Sequence, residues 1–489
     1  LDSSLDEIDM EGVWLDTKEH LKSRMVCENW TGAAAQRPNM IEDFIFVGLV
    51  TLMDPPRVGV MEAIADCHAA GVKVVMITGD HPFTAASIAT QIGLLSHEAP
   101  VHFSASIFEN SGSESSAGRN DNPSLVVHGE SLSLLSDEEW AYVISKPEIV
   151  FARTSPEQKL VIVREFRKAG YVTAMTGDGV NDSPALRQAD VGIAMGRNGS
   201  AVAREAADLV LLDDNFPSIV VGIFEGRLLF SNLKKSCAHT LAHLLPEVFP
   251  VLFWSFAGAP LPIGSIAVLM VDLLTELPLS TATAFEPAES DLMKVPPRNY
   301  QTDRLTSVPL LLYAYVEIGI IETSVLLLFY FVQFDDFGIS ASELVQMGGN
   351  YFPSVNGDSY TTVSGITYSS AEQLKIVDAV QGTWFMGLVV GQIVHSVFCR
   401  TRTSSLFTHG LLNNFWGNVA ICVSTTLGVL VAYLPGWQTE VMGIQNPNSL
   451  YVLYIFLLDL VLIGCFTEAR KAYSRAYPDS WYNLNFWAW

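Results

Sequence analysis

From Met175 to Leu186 the chain reads Met-Thr-Gly-Asp-Gly-Val-Asn-Asp-Ser-Pro-Ala-Leu. Two carboxylates, Asp178 and Asp182, and the amide of Asn181 stand on a glycine-rich turn ahead of a helix-forming stretch. Carboxylate oxygens are hard ligands of the kind Mg²⁺ takes, and glycines at 177 and 179 let the backbone come close to oxyanions. The pattern is that of a magnesium and phosphate site. A second set of reactive residues sits in apolar sequence. Asp272 and Glu276 are four apart, as are His243 and Glu247, so each pair shares a helix face. Ionisable groups are costly in a membrane span and usually mark an ion path. Pro246 and Pro250, flanking Glu247, are expected to break helical hydrogen bonds and free carbonyls that could ligate a hard cation beside these carboxylates. His239, His243 and Glu247 also form a column at helical spacing, open to three readings: a transition-metal site, a desolvated neutral histidine or a proton carrier.

Two kinds of element must position these groups. Apolar runs at 46–52, 72–77, 149–152, 172–175, 191–194 and 209–212 alternate with helix-length segments, the pattern of a doubly wound parallel sheet. Ligands on such sheets sit beyond the carboxyl ends of the strands. Thr78-Gly79-Asp80 and Thr176-Gly177-Asp178 both fall there, each after an apolar strand. The stretch 104–123, rich in Ser, Gly and Asn, is expected to be a flexible surface loop. Beyond it, apolar segments at 237–257, 263–284, 308–331, 380–397, 419–433 and 450–466 approach the roughly 20 residues that a bilayer span needs. Lys234 and Lys235 precede the first, Lys294, Arg298 and Arg304 follow the second, Arg400 and Arg402 the fourth, and Arg470, Lys471 and Arg475 the sixth. The positive-inside rule therefore predicts a multi-pass membrane protein with both chain ends, and the soluble half, in the cytoplasm.

Composition agrees with a two-part molecule. Apolar residues make up 49% of the 489, and the mean hydropathy is +0.29. A net charge of −24 argues against nucleic acid as a partner, because phosphate backbones need a basic face. Six cysteines without a Cys-X-X-Cys or Cys/His cluster point to free thiols in packing.

Four strings in order resemble the signatures of the P-type cation-transporting ATPases. They are Asp54-Pro55-Pro56-Arg57, Met76-Ile77-Thr78-Gly79-Asp80-His81-Pro82, the segment 151–159 ending Ser155-Pro156-Glu157-Gln158-Lys159, and the 175–186 string. Asn232-Leu233-Lys234-Lys235-Ser236 and Ala288-Glu289-Ser290-Asp291-Leu292-Met293 are similar to the sodium/potassium pump group, and the likeness runs from about residue 44 to 481. It implies an α/β haloacid-dehalogenase-like, Rossmann-type phosphorylation domain over 44–231, incomplete, and an all-α membrane domain of six transmembrane helices over 232–489. Residues 1–43 would be a remnant of a nucleotide-binding domain.

By the same resemblance, Mg²⁺ and ATP are the cofactors. Thr78 would donate to a phosphoryl group, Lys159 would balance its charge, Asp178 would hold Mg²⁺, and Asn181 and Asp182 would order the metal shell and the phosphate. Arg57 and Asp80, with Thr78 and Gly79, would line the nucleotide side. Glu247, Asp272 and Glu276 take the positions of cation-binding carboxylates, with His243, Thr275 and Gln392 beside them. The implied function is ATP-driven transport of monovalent cations, Na⁺, K⁺ or H⁺, across the plasma membrane through an aspartyl phosphate.

The chain departs from the family pattern in several places. No Asp-Lys-Thr-Gly-Thr, Thr-Gly-Glu-Ser or Lys-Gly-Ala occurs in the sequence, which implies a carboxy-terminal portion whose partner is an amino-terminal half of the pump. His243 and Leu244 stand where the sodium/potassium pumps have serine and asparagine, His395 replaces an aspartate, Ser424 replaces a glutamate, and Glu317 and Glu322 are added acids. Asp358-Ser359-Tyr360-Thr361-Thr362 replaces the Ser-Tyr-Gly-Gln that grips a beta-type subunit, leaving that partner open. Two alternatives remain: a non-catalytic pseudo-pump that binds cations or another subunit, and a membrane-anchored phosphatase.

Overall fold

Short apolar runs form two parallel sheets in the soluble half of the computed structural model, which describes residues 55–96, 101–102, 123–345, 352–354 and 358–487. The strand expected at 46–52, the remnant over 1–43 and nearly all of the loop at 104–123 lie outside the described residues. The first sheet joins β1 (Val75–Ile77), β2 (Val101–His102), β3 (Ser124–His128) and β4 (Glu148–Ala152) in the order β1-β4-β3-β2. The second joins β5 (Ala174–Gly177), β6 (Val191–Met195) and β7 (Leu209–Leu211) in sequence order. Every pairing in both sheets is parallel.

Period-two alternation explains the layering of the first sheet. Leu125, Val127, Ile149 and Phe151 pack with Trp140 of α3 (Asp137–Ser145) and Ile162 of α4 (Pro156–Lys168). Their neighbours Val126, Val150 and Ala152 pack on the opposite face with Ile64 of α1 (Val60–Ala69) and Ala85 and Ala89 of α2 (Pro82–Gln91). A sheet covered on both faces is what parallel strands require. β2 and β3 were not expected from the sequence, and β5 lies two residues beyond its expected start, so that it ends on Gly177. Capping boxes start two of the helices that cover this sheet, with Ser136 and Glu139 on α3 and Ser155 and Gln158 on α4.

Among the described residues, six helices are long and apolar enough to cross a membrane. They are α7 (Pro217–Ala257), α8 (Ser265–Phe285), α9 (Val308–Asp336), α10 (Ser370–Phe398), α11 (Phe415–Tyr433) and α12 (Ser449–Ala476). Three features differ from expectation. The first span is one continuous helix of 41 residues that begins in the soluble half and runs through Pro246 and Pro250 without a break. Each proline still removes one donor, so the carbonyls four residues earlier keep no helical partner. Wide π turns interrupt α8 over Val271–Glu276 and α9 over Leu312–Ile318. Such turns appear mostly as single insertions at functional positions. α10 has 67% of its apolar window buried, against 28–39% for the other five, which makes it the central helix of the bundle. Its Gly387 meets Leu326 of α9 and Ile455 of α12 at distances that leave no room for a side chain.

Candidate functional sites

The first site forms where the second sheet ends. β5 delivers Thr176 and Gly177, Asp178 follows, and a short 3₁₀ turn over Val180–Asp182 leads into α5 (Ser183–Gln188). A Cβ on Gly177 would lie 2.6 Å from that of Asp182, so only glycine lets the turn fold back this tightly. Asp182 is buried; its Oδ1 accepts from Lys159 Nζ at 2.7 Å and its Oδ2 from the amide of Gly179 at 3.2 Å. Asp178 is exposed, and its carbonyl is fixed by the amide of Ser200 at 2.8 Å. Both acids line a cavity of about 340 Å³ with Lys159, Arg57, Ile77, Met175, Met195, Asp214 and Phe216.

Thr78, Gly79, Asp80 and Asn181 are not among the residues lining that cavity. Thr78 continues β1, its amide donating to the carbonyl of Phe151 at 2.9 Å while its hydroxyl oxygen accepts from the amide of Asp80 at 3.1 Å. The loop is held to the exit of β4, since Arg153 N donates to Asp80 O at 2.9 Å and Thr154 N to Thr78 O at 3.1 Å. Among the described residues β1 pairs only with β4 and β5 only with β6. Ile77 of β1 nevertheless packs into the cluster that holds Met175 of β5, so the cavity lies between two open strand edges.

Asp214 is the charged cavity residue that sequence reasoning missed. It has a left-handed backbone with φ of 55°. Its carboxylate accepts from the amides of Gly196, Arg197 and Asn198 at 2.6, 2.9 and 2.8 Å, and its own carbonyl accepts from Arg57. Burial acts to raise this carboxyl, but those amides and the Arg57 guanidinium outweigh it and hold it below the usual carboxylate range. The available signal was the pair of aspartates after β7, again beyond the carboxyl end of a strand.

The second site lies in the helix bundle, with Glu247 and Glu276 buried and Asp272 exposed. Glu247 of α7 and Asp272 and Glu276 of α8 each present a carboxylate oxygen, and these lie within 4.8 Å of one another. Oxygen ligands about 2.3–2.6 Å from a hard cation sit up to about 5 Å apart across it, so this spacing fits one shared ion. The π turn organises the rest. Thr275 Oγ1 approaches Val271 O at 2.8 Å and Gln392 Oε1 at 3.1 Å, and Ser424 Oγ donates to Thr275 O at 2.6 Å. Glu247 Oε1 and Gln392 Nε2 are buried without a protein partner. The histidine column divides: His243 bonds Glu322 Oε2 through Nδ1 at 3.0 Å and faces His239 through Nε2 at 3.4 Å, while Glu247 belongs with the acids.

Comparisons with known proteins follow this division of the molecule. Residues 17–190 match the haloacid dehalogenase-like hydrolases, and residues 260–473 match the carboxy-terminal region of cation transporting ATPases. A domain of the first kind joined, among the described residues, to six apolar helices, five of them in the region of the second match, defines a membrane-bound, haloacid-dehalogenase-type protein. The chain belongs to the P-type cation-transporting ATPases. It is 40% identical over 448 residues to sodium/potassium-transporting ATPase subunit alpha-1 of Catostomus commersonii, covering 90% of this chain and 42% of that protein. Potassium-transporting ATPase alpha chain 2 of Cavia porcellus has the same identity and coverage. Sodium/potassium-transporting ATPase subunit alpha-2 of Homo sapiens is 39% identical over 445 residues, 90% of this chain and 43% of that one. The chain thus spans about two-fifths of the length of the curated relatives it matches.

Proposed function

We propose that this chain is the carboxy-terminal, ion-binding portion of an ATP-driven pump for monovalent cations that works through an aspartyl phosphate. The observation that carries this reading is α7. It starts at Pro217, next to Phe216 and Asp214 in the wall of the phosphate cavity, and carries Glu247 of the acid cluster. Thirty residues of unbroken helix span about 45 Å, so a shift at one site must be felt at the other.

The cavity suits a hydrated Mg²⁺ with a phosphoryl group: two carboxylates, an ammonium and a glycine turn converge on it. Asp178 would hold the ion, with Asp182 and Asn181 ordering its shell; the ion would neutralise phosphate charge during transfer. Lys159, fixed on Asp182, supplies the second positive charge. Thr78 would donate its hydroxyl proton to a phosphoryl oxygen, and Arg57 and Asp80 would border the nucleotide. An aspartate from an amino-terminal portion of the pump would take the γ-phosphoryl group, with ADP leaving and the acyl phosphate later cleaved by water. In the bundle, Glu247, Asp272 and Glu276 would coordinate the transported ion, supported by Thr275 and Gln392. Positive charge flanking the spans supports a cytoplasmic soluble domain, and the relatives' names support sodium or potassium as cargo. Whether a beta-type subunit binds depends on the 358–362 segment, which here forms one side of a small hairpin of β8 (Tyr360–Thr361) and β9 (Thr367–Tyr368).

The test is to determine the native transcript and intact mass and to incubate native membranes with ATP. A longer product bearing Asp-Lys-Thr-Gly-Thr, with an acid-stable phosphoenzyme whose level responds to Na⁺ or K⁺, is the expected result. A native product without that aspartate, and without phosphoenzyme, would leave cation binding alone.

A further inference from the structure

We propose that His239, His243 and His395 form a binding site for a borderline divalent transition metal of the Zn²⁺ class, buried in the helix bundle and separate in ligand chemistry from the acid cluster. The three imidazoles come from two helices, His239 and His243 from α7 and His395 from α10. They are 0%, 1% and 0% exposed, and each can present a ring nitrogen within 4.8 Å of the other two. The separation of 3.4 Å between His243 Nε2 and His239 Nδ1 equals the edge of a tetrahedron whose Zn–N bonds are about 2.0–2.1 Å. The widest separation must close by about 1.4 Å to complete a face, a shift within the reach of side-chain rotation.

The surroundings match those of metal-binding histidines, which usually donate their second nitrogen to a carboxylate or another fixed acceptor. Glu322 of α9 accepts from His243 Nδ1 at 3.0 Å, which leaves Nε2 as a lone pair directed at His239. The Tyr313 hydroxyl lies 3.2 Å from His395 Nε2, which leaves Nδ1 as the free nitrogen. His395 Nδ1 has no hydrogen-bond partner although its ring is fully buried. Orphaned polar atoms of this kind are uncommon in native interiors and call for a bound ion or water. Charge points the same way. Glu322 Oε1 is buried without a partner, and among the described residues no lysine or arginine forms an ion pair with Glu322. A dication beside this carboxylate offsets the cost of burying it. Imidazole donors favour Zn, Cu or Ni over Na⁺, K⁺ or Mg²⁺, so this site takes a different ion from the carboxylates below it. Because the ligands and Glu322 tie α7, α9 and α10 together, an occupied site would restrain the helix that links the phosphate cavity to the acid cluster.

The experiment uses the full chain in detergent, purified through a tag that lacks histidine, stripped with a chelator and titrated with Co²⁺ and then Zn²⁺. The expected result is one Co²⁺ per chain, with the visible absorption of a four-coordinate site of three nitrogens and one oxygen, displaced by Zn²⁺. His239→Gln and His395→Gln should abolish this band, and Glu322→Gln should weaken binding about 10–100-fold. Glu247→Gln should leave it intact. No stoichiometric Co²⁺ in the wild-type chain, or equal binding in the histidine variants, would overturn the proposal, as would loss of binding in Glu247→Gln alone. None of these outcomes depends on ATP-driven transport, which the phosphoenzyme assay tests separately.

Discussion

The two candidate sites are built in opposite ways. The phosphate cavity meets water: Asp178 is exposed, and its two buried acids find partners in the protein, Asp182 in Lys159 at 2.7 Å and Asp214 in the amides of Gly196, Arg197 and Asn198. The site in the bundle gathers residues from α7, α8, α10 and α11, and leaves Glu247 Oε1 and Gln392 Nε2 buried without protein partners. A site that takes its ligand from water can hold its charges open, because solvent satisfies them until the ligand arrives. In a span, every polar atom must be met by another helix or by the ion itself. Three of the expected departures from the family pattern, His243, His395 and Ser424, fall among the helices of the bundle. There one changed residue obliges its neighbours to find new partners.

The comparison is tested most severely at Asp178. If this carboxylate holds Mg²⁺ and does nothing for the bundle, Asp178→Asn in the full-length pump should lower phosphoenzyme formation about 10²–10³-fold, the scale of losing one electrostatic stabiliser. Cation affinity should stay near normal. An unchanged phosphoenzyme level would remove the assignment, and a parallel loss of cation affinity would mean that the two sites are not separable in this way.

Glu289 stands between the two regions and should show the next largest effect. Its carboxylate pairs with Lys235 of α7 at 2.8 Å and accepts from the amides of Arg402, Thr403 and Ser404, so it ties the long helix to the loop after α10. Burial pushes this carboxyl up, but the Lys235 ammonium and those amides more than compensate and hold it below the usual range. A depressed folded-state value means that the stabilisation is complete above the ordinary glutamate pKa of about 4.3 and is lost as pH falls through the lower folded value. Thermal unfolding of the wild-type chain should therefore shift downward on acidification below about pH 4.3. In Glu289→Gln the chain should be destabilised by about 3 kcal/mol near neutrality, because Lys235 is left buried and unpaired, and this part of the acid dependence should vanish. An acid profile identical to that of the wild type would show that the pair contributes nothing to stability.

What could be read from sequence follows the same contrast. The strands β4, β6 and β7, the turn after β5 and the six apolar spans were visible because local patterns encode them: alternation, glycines at a tight turn, and length of apolar run. β3 was missed although all five of its residues are buried, because Ser124 and His128 bracket only three apolar residues and give no clear period. Asp214 was missed because its role depends on three amides of a loop that lies sixteen to eighteen residues upstream. In the bundle, helical spacing correctly paired Asp272 with Glu276, yet it placed Glu247 in a column with histidines. The third histidine, His395, arrives from α10, and spacing along one helix cannot report a neighbour on another. The π turns were also invisible, since the register shift they introduce is stabilised by tertiary contacts such as the bond from Ser424.

Within the bundle, two substitutions of graded size separate direct ligands from their supports. Asp272→Asn keeps the shape but removes a charge, and should raise the cation concentration for half-maximal ATPase activation about tenfold, equivalent to about 1.4 kcal/mol. Equal activation before and after the change would exclude Asp272 as a ligand. Ser424→Ala should have the smallest effect, because Ser424 touches the site only through the carbonyl of Thr275. Losing that bond leaves a buried carbonyl within the π turn at a cost of about 1 kcal/mol, or a few-fold in cation affinity. Ser424→Thr keeps the hydroxyl and should restore most of it. If Ser424→Ala instead matched Asp272→Asn in size, the serine would be a ligand in its own right, and the bundle would read its ion through α11 as well as through α7 and α8.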